Sequence, residues 1–387
     1  MNDDYSRVNP ILRRIMAEIY RKRTPLPKEN LTNVRMERVR DQAFCEIWFM
    51  TPGCSHDALG GCTMCNYGKG CAVTATEVLN ELRLRIEALP HRLQELIVTP
   101  TGSMLDEREV PAALREQIFQ LLRRQGCRDF FVETRADTIT PEKLESMKHH
   151  VRAERLHIEI GVECCQDWVL RNCINKNMKY TDIGAAVDLI HGAQMYACAN
   201  VGIGIPFLSE RCSIELAKRS IHQLFAAGVD YAVLFPYHVK PGRLSAWLWE
   251  RQLYQCCSLW AVVEVLSDFT AEELERVQIS WYRNYYEQEG KVLTSPAAAP
   301  DCMEEVLSLL DQYKNYPGAA SLAPLLAFSG GDRAEWRRAL LSQPEGIDFY
   351  EVREKYCLLA SYFDIPASAL ETELNYMRRT LESDCFD

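Results

Sequence analysis

The sequence predicts an α/β fold: a parallel sheet of six strands that curls toward a barrel, followed by a helical C-terminal extension. Three observations predict it. Short apolar runs alternate with helix-period stretches through the first 230 or so residues. Six β-α steps in a row imply parallel pairing, because parallel strands need crossover connections, and right-handed crossovers curl the sheet into a doubly wound or barrel form. From about residue 300 the strand signal stops while helical periodicity continues. In order, the strands are expected at Ala43–Met50, Glu95–Thr99, Phe130–Thr134, Leu156–Val162, Ala199–Ile203 and Ala232–Phe235. The helices between them are expected near 74–89, 108–125, 141–150, 181–195 and 212–227. An extended piece at 277–283 is placed to cover an open sheet edge. Helices near 301–313, 333–342, 348–362 and 366–383 make up the extension. Such a sheet carries its chemistry on the loops after the strand C-termini.

Composition narrows the class. The chain has 387 residues, 47% hydrophobic and 25% charged, enough to bury a sizeable core and too apolar for intrinsic disorder. No apolar run approaches the roughly 20 residues of a membrane helix. Met1–Tyr5 has neither the basic start nor the apolar segment of a signal peptide, so a soluble, cytoplasmic protein is expected. Sixteen cysteines fall well below the roughly 8–10% of a disulfide scaffold and are expected mostly as reduced thiols, which raises a metal site or thiol chemistry.

The net charge is −10, unevenly spread. Residues 1–40 carry ten Lys/Arg against five Asp/Glu and read as a basic N-terminal helical arm. Its Arg13, Arg14, Arg21, Lys22 and Arg23 are read as the solvated face of an amphipathic helix. Residues 41–300 read as the barrel and 301–387 as the appendage. Such an acidic balance disfavours long-range attraction to nucleic acid.

The sharpest feature follows the first strand: Thr51-Pro-Gly-Cys54-Ser-His-Asp-Ala-Leu-Gly-Gly-Cys62-Thr-Met-Cys65-Asn-Tyr-Gly68. Three cysteines in a glycine-rich loop can bring their thiolates to one metal centre. A zinc site could take His56 as its fourth ligand, but zinc usually pairs CxxC with a second half-site, and none is evident. Three cysteines fit better a [4Fe–4S] cluster with one iron left open.

On these residues the chain resembles the radical S-adenosylmethionine (SAM) superfamily, whose loop also holds three cysteines after its first strand, usually at C-x3-C-x2-C spacing. Here seven residues separate the first two, a spacing similar to that of the radical SAM subunit of archaeosine synthase and its bacterial relatives. The resemblance runs over roughly residues 45–300. It implies a partial (β/α)6 TIM-type barrel, a [4Fe–4S] cluster on Cys54, Cys62 and Cys65, and SAM at the open iron.

The same resemblance implies that Thr101, Gly102 and Ser103, after the second strand, meet the SAM amino group. Glu133 and Arg135 follow as candidates for its carboxylate or ribose, with a surface ion pair as the alternative for Arg135. Glu163 is placed at SAM or substrate, Gly204 against adenine, and Met64 and Tyr67 beside the cluster. Glu133, Glu159 and Glu163 alternate with apolar residues and face the interior, where carboxylates are rare unless paired or functional. Glu159, Cys164, Cys165, Lys176 and His238 are the remaining catalytic or substrate candidates. Cys302, Cys357 and Cys385 stand too far apart for a second cluster.

The expected activity is reductive SAM cleavage that makes a carbon radical and modifies a small amino-acid-like metabolite, with a donor such as flavodoxin or ferredoxin. One alternative is transfer of a 3-amino-3-carboxypropyl radical to a soft acceptor, a thiol or a trivalent metalloid such as arsenite. Another is archaeosine-synthase-like tRNA modification.

Overall fold

The computed structural model describes residues 7–28, 31–39, 42–90, 93–123, 125–284 and 292–384, so Met1–Tyr5 and Cys385 lie outside it. Eight strands form one sheet in sequential order: β1 (Thr32–Val39), β2 (Gln42–Phe49), β3 (Leu93–Pro100), β4 (Cys127–Thr134), β5 (Ala153–Glu163), β6 (Tyr196–Ile203), β7 (Tyr231–Pro236) and β8 (Val277–Ile279). From β2 to β8 every neighbour is parallel. The six expected strands are all present, most of them longer by a few residues. Helices Ala75–Glu87, Ala112–Leu122, Pro141–His150, Tyr180–Gly192 and Glu210–Ala226 return the chain between them.

Alternation along the strands separates two environments. Phe130 and Val132 of β4, and Ile158 and Ile160 of β5, are fully buried in the hydrophobic core. Between them Glu133 and Glu159, directly opposite each other in the β4–β5 register, line the barrel interior. Polar groups gather inside the upper barrel because the helices take the apolar face.

The expected basic helical arm divides differently. Pro10–Lys22 is helical, started by Asn9, whose side chain accepts from the Ile11 and Leu12 amides, and it buries Ile11, Leu12, Ile15 and Met16. Residues 32–39 are the antiparallel strand β1, not helix. Arg35 lies opposite Glu46 in the β1–β2 register and pairs with it at 2.6 Å. That stabilisation comes from a partner strand, so no local helical preference governs it.

β8 covers the β7 edge, as the extended piece at 277–283 leads one to expect, but only Val277–Ile279 pair. The C-terminal helices are Met303–Asn315, Ala319–Ala327, Arg333–Leu341, Phe349–Tyr362 and Ala367–Asp384. The second was not expected, since Pro324 lies inside it. The last two pack back onto the barrel: Tyr356 donates to the Asn172 carbonyl at 2.7 Å, and Trp168 donates to the Met377 carbonyl at 2.7 Å. Among the described residues no helix is long and apolar enough to cross a membrane.

Candidate active site

The cysteine loop leaves β2 and is fastened at several points. Thr51, its first residue, donates from its amide to Thr101 Oγ1 at 2.9 Å, and the two hydroxyls meet at 2.8 Å. Thr63 donates from its amide to the Ile174 carbonyl at 2.9 Å and from its hydroxyl to the Cys173 carbonyl at 2.8 Å. At the centre stands Asp57. Arg23 donates to its Oδ2 at 2.7 Å, and Arg243 donates to Oδ1 at 2.5 Å and Oδ2 at 3.2 Å. The same two arginines hold loop carbonyls, Arg243 that of Cys62 at 2.7 Å and Arg23 that of Asn66 at 2.9 Å.

Two glycines are dictated by this packing. A Cβ on Gly68 would fall 1.1 Å from Asp57 Oδ2. Gly53 has φ +113°, and a Cβ there would lie 2.0 Å from the Gly68 carbonyl oxygen. None of Asp57, Arg23 and Arg243 was singled out by the sequence as a site residue. The 186 residues between Asp57 and Arg243 leave no local pattern to read.

The loop closes the top of a cavity of about 210 Å³ at the C-terminal ends of the strands. Cys54, Cys62 and Cys65 all line it, with Met64 and Tyr67 beside them. Burial and the neighbouring Glu109 push the Cys54 thiol up to about 12, against the pull of Arg135. Burial likewise pushes Cys62 up, against Lys176. Both thiols therefore stay protonated until a metal displaces the proton. Among the described residues no three His, Cys, Asp or Glu side chains stand together as a ready single-ion site. His56, the alternative zinc ligand, has its Nε2 at 2.9 Å from the Asn175 carbonyl, and burial lowers it to about 4.

Gly102, Ser103 and Arg135 line the side of the cavity nearest Cys54. Arg135 is not a surface residue: it is hemmed in by Asp106, Glu109 and Asp137 and donates to Ser103 Oγ at 3.2 Å. Three carboxylates already answer its charge, so it is poorly disposed to take the SAM carboxylate as expected. On the opposite side Lys176 donates to Glu163 Oε1 at 3.0 Å, and Tyr237 donates to Oε2 at 2.9 Å. Glu163 ends β5 at a register shift with φ +72°, a strained conformation for a residue other than glycine, which aims its carboxylate at Lys176.

Deeper in the barrel, Glu133 accepts from Thr99, and Glu159 is hydrogen-bonded to Asn200. Neither forms an ion pair among the described residues. Burial raises Glu133 to about 7, with Glu46 and Glu163 adding to it and the Thr99 bond opposing. Burial and Glu133 raise Glu159 to about 8. Since both lie above the ordinary carboxylate value of 4.5, the folded state holds protons that the unfolded chain has released. Their stabilising effect is complete below about pH 4.5 and is lost as pH rises through 7 and 8. The Glu159→Gln protein is therefore expected to be more stable than the parent at about pH 8.5, by roughly 1–3 kcal/mol, and equal to it near pH 5. Urea midpoints at the two pH values check this; a parallel pH dependence in parent and variant would exclude the pair as its source.

Four expected site residues do not reach the cavity. Thr101 is spent on Thr51. Gly204 lies behind the wall, its carbonyl accepting from Tyr254 at 2.6 Å. Cys164 and Cys165 do not border the substrate space. The chain turns at Glu163, and both cysteines pack against helix Glu210–Ala226. The Ser220 hydroxyl donates to Cys164 Sγ at 3.8 Å and accepts from the Cys165 amide at 2.9 Å. Burial raises both thiols, as befits small packing groups. His238 does line the cavity, but its ring nitrogens are engaged by the Trp281 carbonyl at 2.5 Å and Ser295 Oγ at 3.1 Å. Burial lowers it to about 4, so it is a neutral tether for segments 281 and 295 rather than a base.

Lys240, by contrast, faces the cavity 5.8 Å from the Tyr67 ring and forms no ion pair among the described residues. Burial lowers its ammonium, against the nearby Cys65.

No protein-family model matches the chain. By sequence it is similar to an uncharacterized protein of Methanocaldococcus jannaschii, 25% identical over 231 residues, which cover 57% of this chain and 63% of that protein. It is also similar to archaeosine synthase subunit beta of Methanosarcina acetivorans, 27% identical over 236 residues, covering 59% of this chain and 67% of the subunit. Among solved structures it resembles a radical S-adenosylmethionine methyltransferase from Kitasatospora setae with cobalamin and a [4Fe–4S] cluster bound. There the identity is 12% and the TM-score 0.46, over 87% of this chain and 65% of that one. The chain thus spans less than two thirds of the length of the Methanocaldococcus protein. Its sequence relatives, its three-cysteine loop and the curled parallel sheet that carries the loop place the chain with the radical SAM enzymes.

Proposed function

We propose that this radical SAM enzyme holds one [4Fe–4S] cluster on Cys54, Cys62 and Cys65 and uses it to modify a small, amino-acid-like metabolite. The observation that carries the reading is the convergence of three buried thiols on one cavity above the ends of parallel strands. The donor set suits the group: three cysteines leave a fourth position open, and the loop is held independently of any metal through Asp57. A [4Fe–4S] cluster with SAM would supply reductive cleavage of a carbon–sulfur bond, and hence a carbon radical.

The chain's own residues do the rest. Met64, Tyr67 and Trp281 line the cavity with apolar surface that excludes water. The charge pattern supports an amino-acid-like substrate. Lys240 offers an unpaired cation near the rim, and Glu133 and Glu159 offer carboxylates at depth, with Asn200 between β5 and β7. Strand rise puts Glu159 on the order of 13 Å below Glu163 along β5, which leaves room for substrate beneath the rim. A zwitterion with its anionic end toward Lys240 and its amine toward the deep pair satisfies both. Reduced thiols and electron supply from a flavodoxin or ferredoxin fit a cytoplasmic setting.

Archaeosine-like tRNA modification is the second reading, favoured by the name of the Methanosarcina relative. The net charge of −10 weighs against it. Transfer of a 3-amino-3-carboxypropyl radical to a soft acceptor loses its structural support with Cys164 and Cys165 outside the cavity.

Anaerobic incubation of reconstituted protein with SAM and dithionite, with the products identified by mass spectrometry, tests the reading. 5′-Deoxyadenosine and methionine are expected. Methylthioadenosine would instead return the aminocarboxypropyl route, and no SAM-derived product would overturn the proposal.

A further inference from the structure

Arg135 stands beside Cys54 at the junction of three segments. From β4 its guanidinium donates through Nη1 to Glu109 Oε1 at 2.8 Å and approaches Cys54 Sγ at 3.8 Å. Its other nitrogens meet Asp106 and Asp137. Glu109, whose side chain is completely buried, accepts from the Ser55 amide at 2.7 Å and the Ser103 amide at 2.6 Å. The Ser55 hydroxyl donates to Asp106 Oδ2 at 2.7 Å. The residue directly after Cys54 is thus bound to both carboxylates that hold the guanidinium. Arg135 and Glu109 act on the Cys54 sulfur with opposite sign: the cation favours its anionic form and the carboxylate disfavours it.

We propose that Arg135 and Glu109 form an opposed pair that positions Cys54 and sets the reduction potential of the cluster this loop would hold. The inference rests on the radical SAM reading. Positive charge and N–H donors at a ligand sulfur stabilise the reduced cluster, because reduction adds negative charge that they offset; negative charge does the reverse. Arg135 therefore raises the potential and Glu109 lowers it. The guanidinium is already saturated by carboxylates, so its reach toward sulfur matters more than any reach toward SAM.

The experiment is an EPR-monitored redox titration of the reconstituted, SAM-free protein. Arg135→Gln removes the cation and leaves Glu109 facing Cys54, so the midpoint is expected to move negative. Glu109→Gln removes the carboxylate, so the midpoint is expected to move positive. Arg135→Lys keeps the charge and is expected to stay nearer the parent than Arg135→Gln. Should Arg135→Gln lose its cluster during reconstitution, Glu109→Gln and Arg135→Lys carry the same test. Iron release to a chelator is expected to quicken about 10–100-fold in Arg135→Gln.

Shifts of the same sign in Arg135→Gln and Glu109→Gln, or an unmoved potential with only weaker SAM binding, would overturn the proposal. The second result would make Arg135 a SAM ligand. A parent protein that takes up no cluster would be a different failure, that of the radical SAM reading itself.

Discussion

Replacing any one of Cys54, Cys62 and Cys65 by alanine is expected to abolish the brown iron–sulfur chromophore and SAM cleavage together. The three thiols line one cavity on a loop whose backbone is tied to β3, to the segment after β5 and to the helix Pro10–Lys22 region through Arg23. A cluster bound by three protein thiolates loses a third of its protein anchorage with each substitution. The remaining cysteines offer no replacement on the cavity wall: Cys164 and Cys165 pack against Ser220, and Cys71 is not among the lining residues. Folding should survive, because each of the three cysteines is only partly buried and the Asp57 clamp remains. Iron and sulfide analysis, visible absorption and product assay on the three single variants check the expectation. Retained chromophore and turnover in any one of them would remove that cysteine from the ligand set.

Asp57→Asn is expected to destabilise the protein strongly and to cost it the cluster, although Asp57 touches no substrate. The carboxylate accepts from Arg23 and from Arg243, whose side chain is completely buried. Neutralising one member of a buried ion pair leaves the other charge without compensation, at about 3–5 kcal/mol. Here two arginines depend on one carboxylate. Those arginines also hold the Cys62 and Asn66 carbonyls on either side of Cys65, so their release frees the ligand loop itself. Asparagine preserves the volume that Gly61 and Gly68 pack against, which separates the loss of charge from a packing defect. The unfolding midpoint in urea and the iron content after anaerobic reconstitution report the two effects. A midpoint within about 0.5 kcal/mol of the parent would show that solvent or other groups compensate the arginines.

The sequence by itself determined the alternation of strands and helices, the open edge covered near 277, and the cysteine loop. Each is written in local pattern: strand and helix periods over a few residues, and three thiols within twelve positions. It also marked Glu133, Glu159, Glu163 and Lys176, because charged residues on apolar strands and at strand ends must face something. Only the tertiary structure decided what they face. β1 was hidden because its stabilisation comes from pairing with β2, as at Arg35 and Glu46. Cys164 and Cys165 were misplaced because a single positive φ at Glu163 turns them to the helix side, and a strand pattern does not encode that turn. Arg135, Glu109 and Asp57 took their roles from partners far away in the chain. A buried charge is defined by the groups that compensate it, and those are brought together only when the barrel closes.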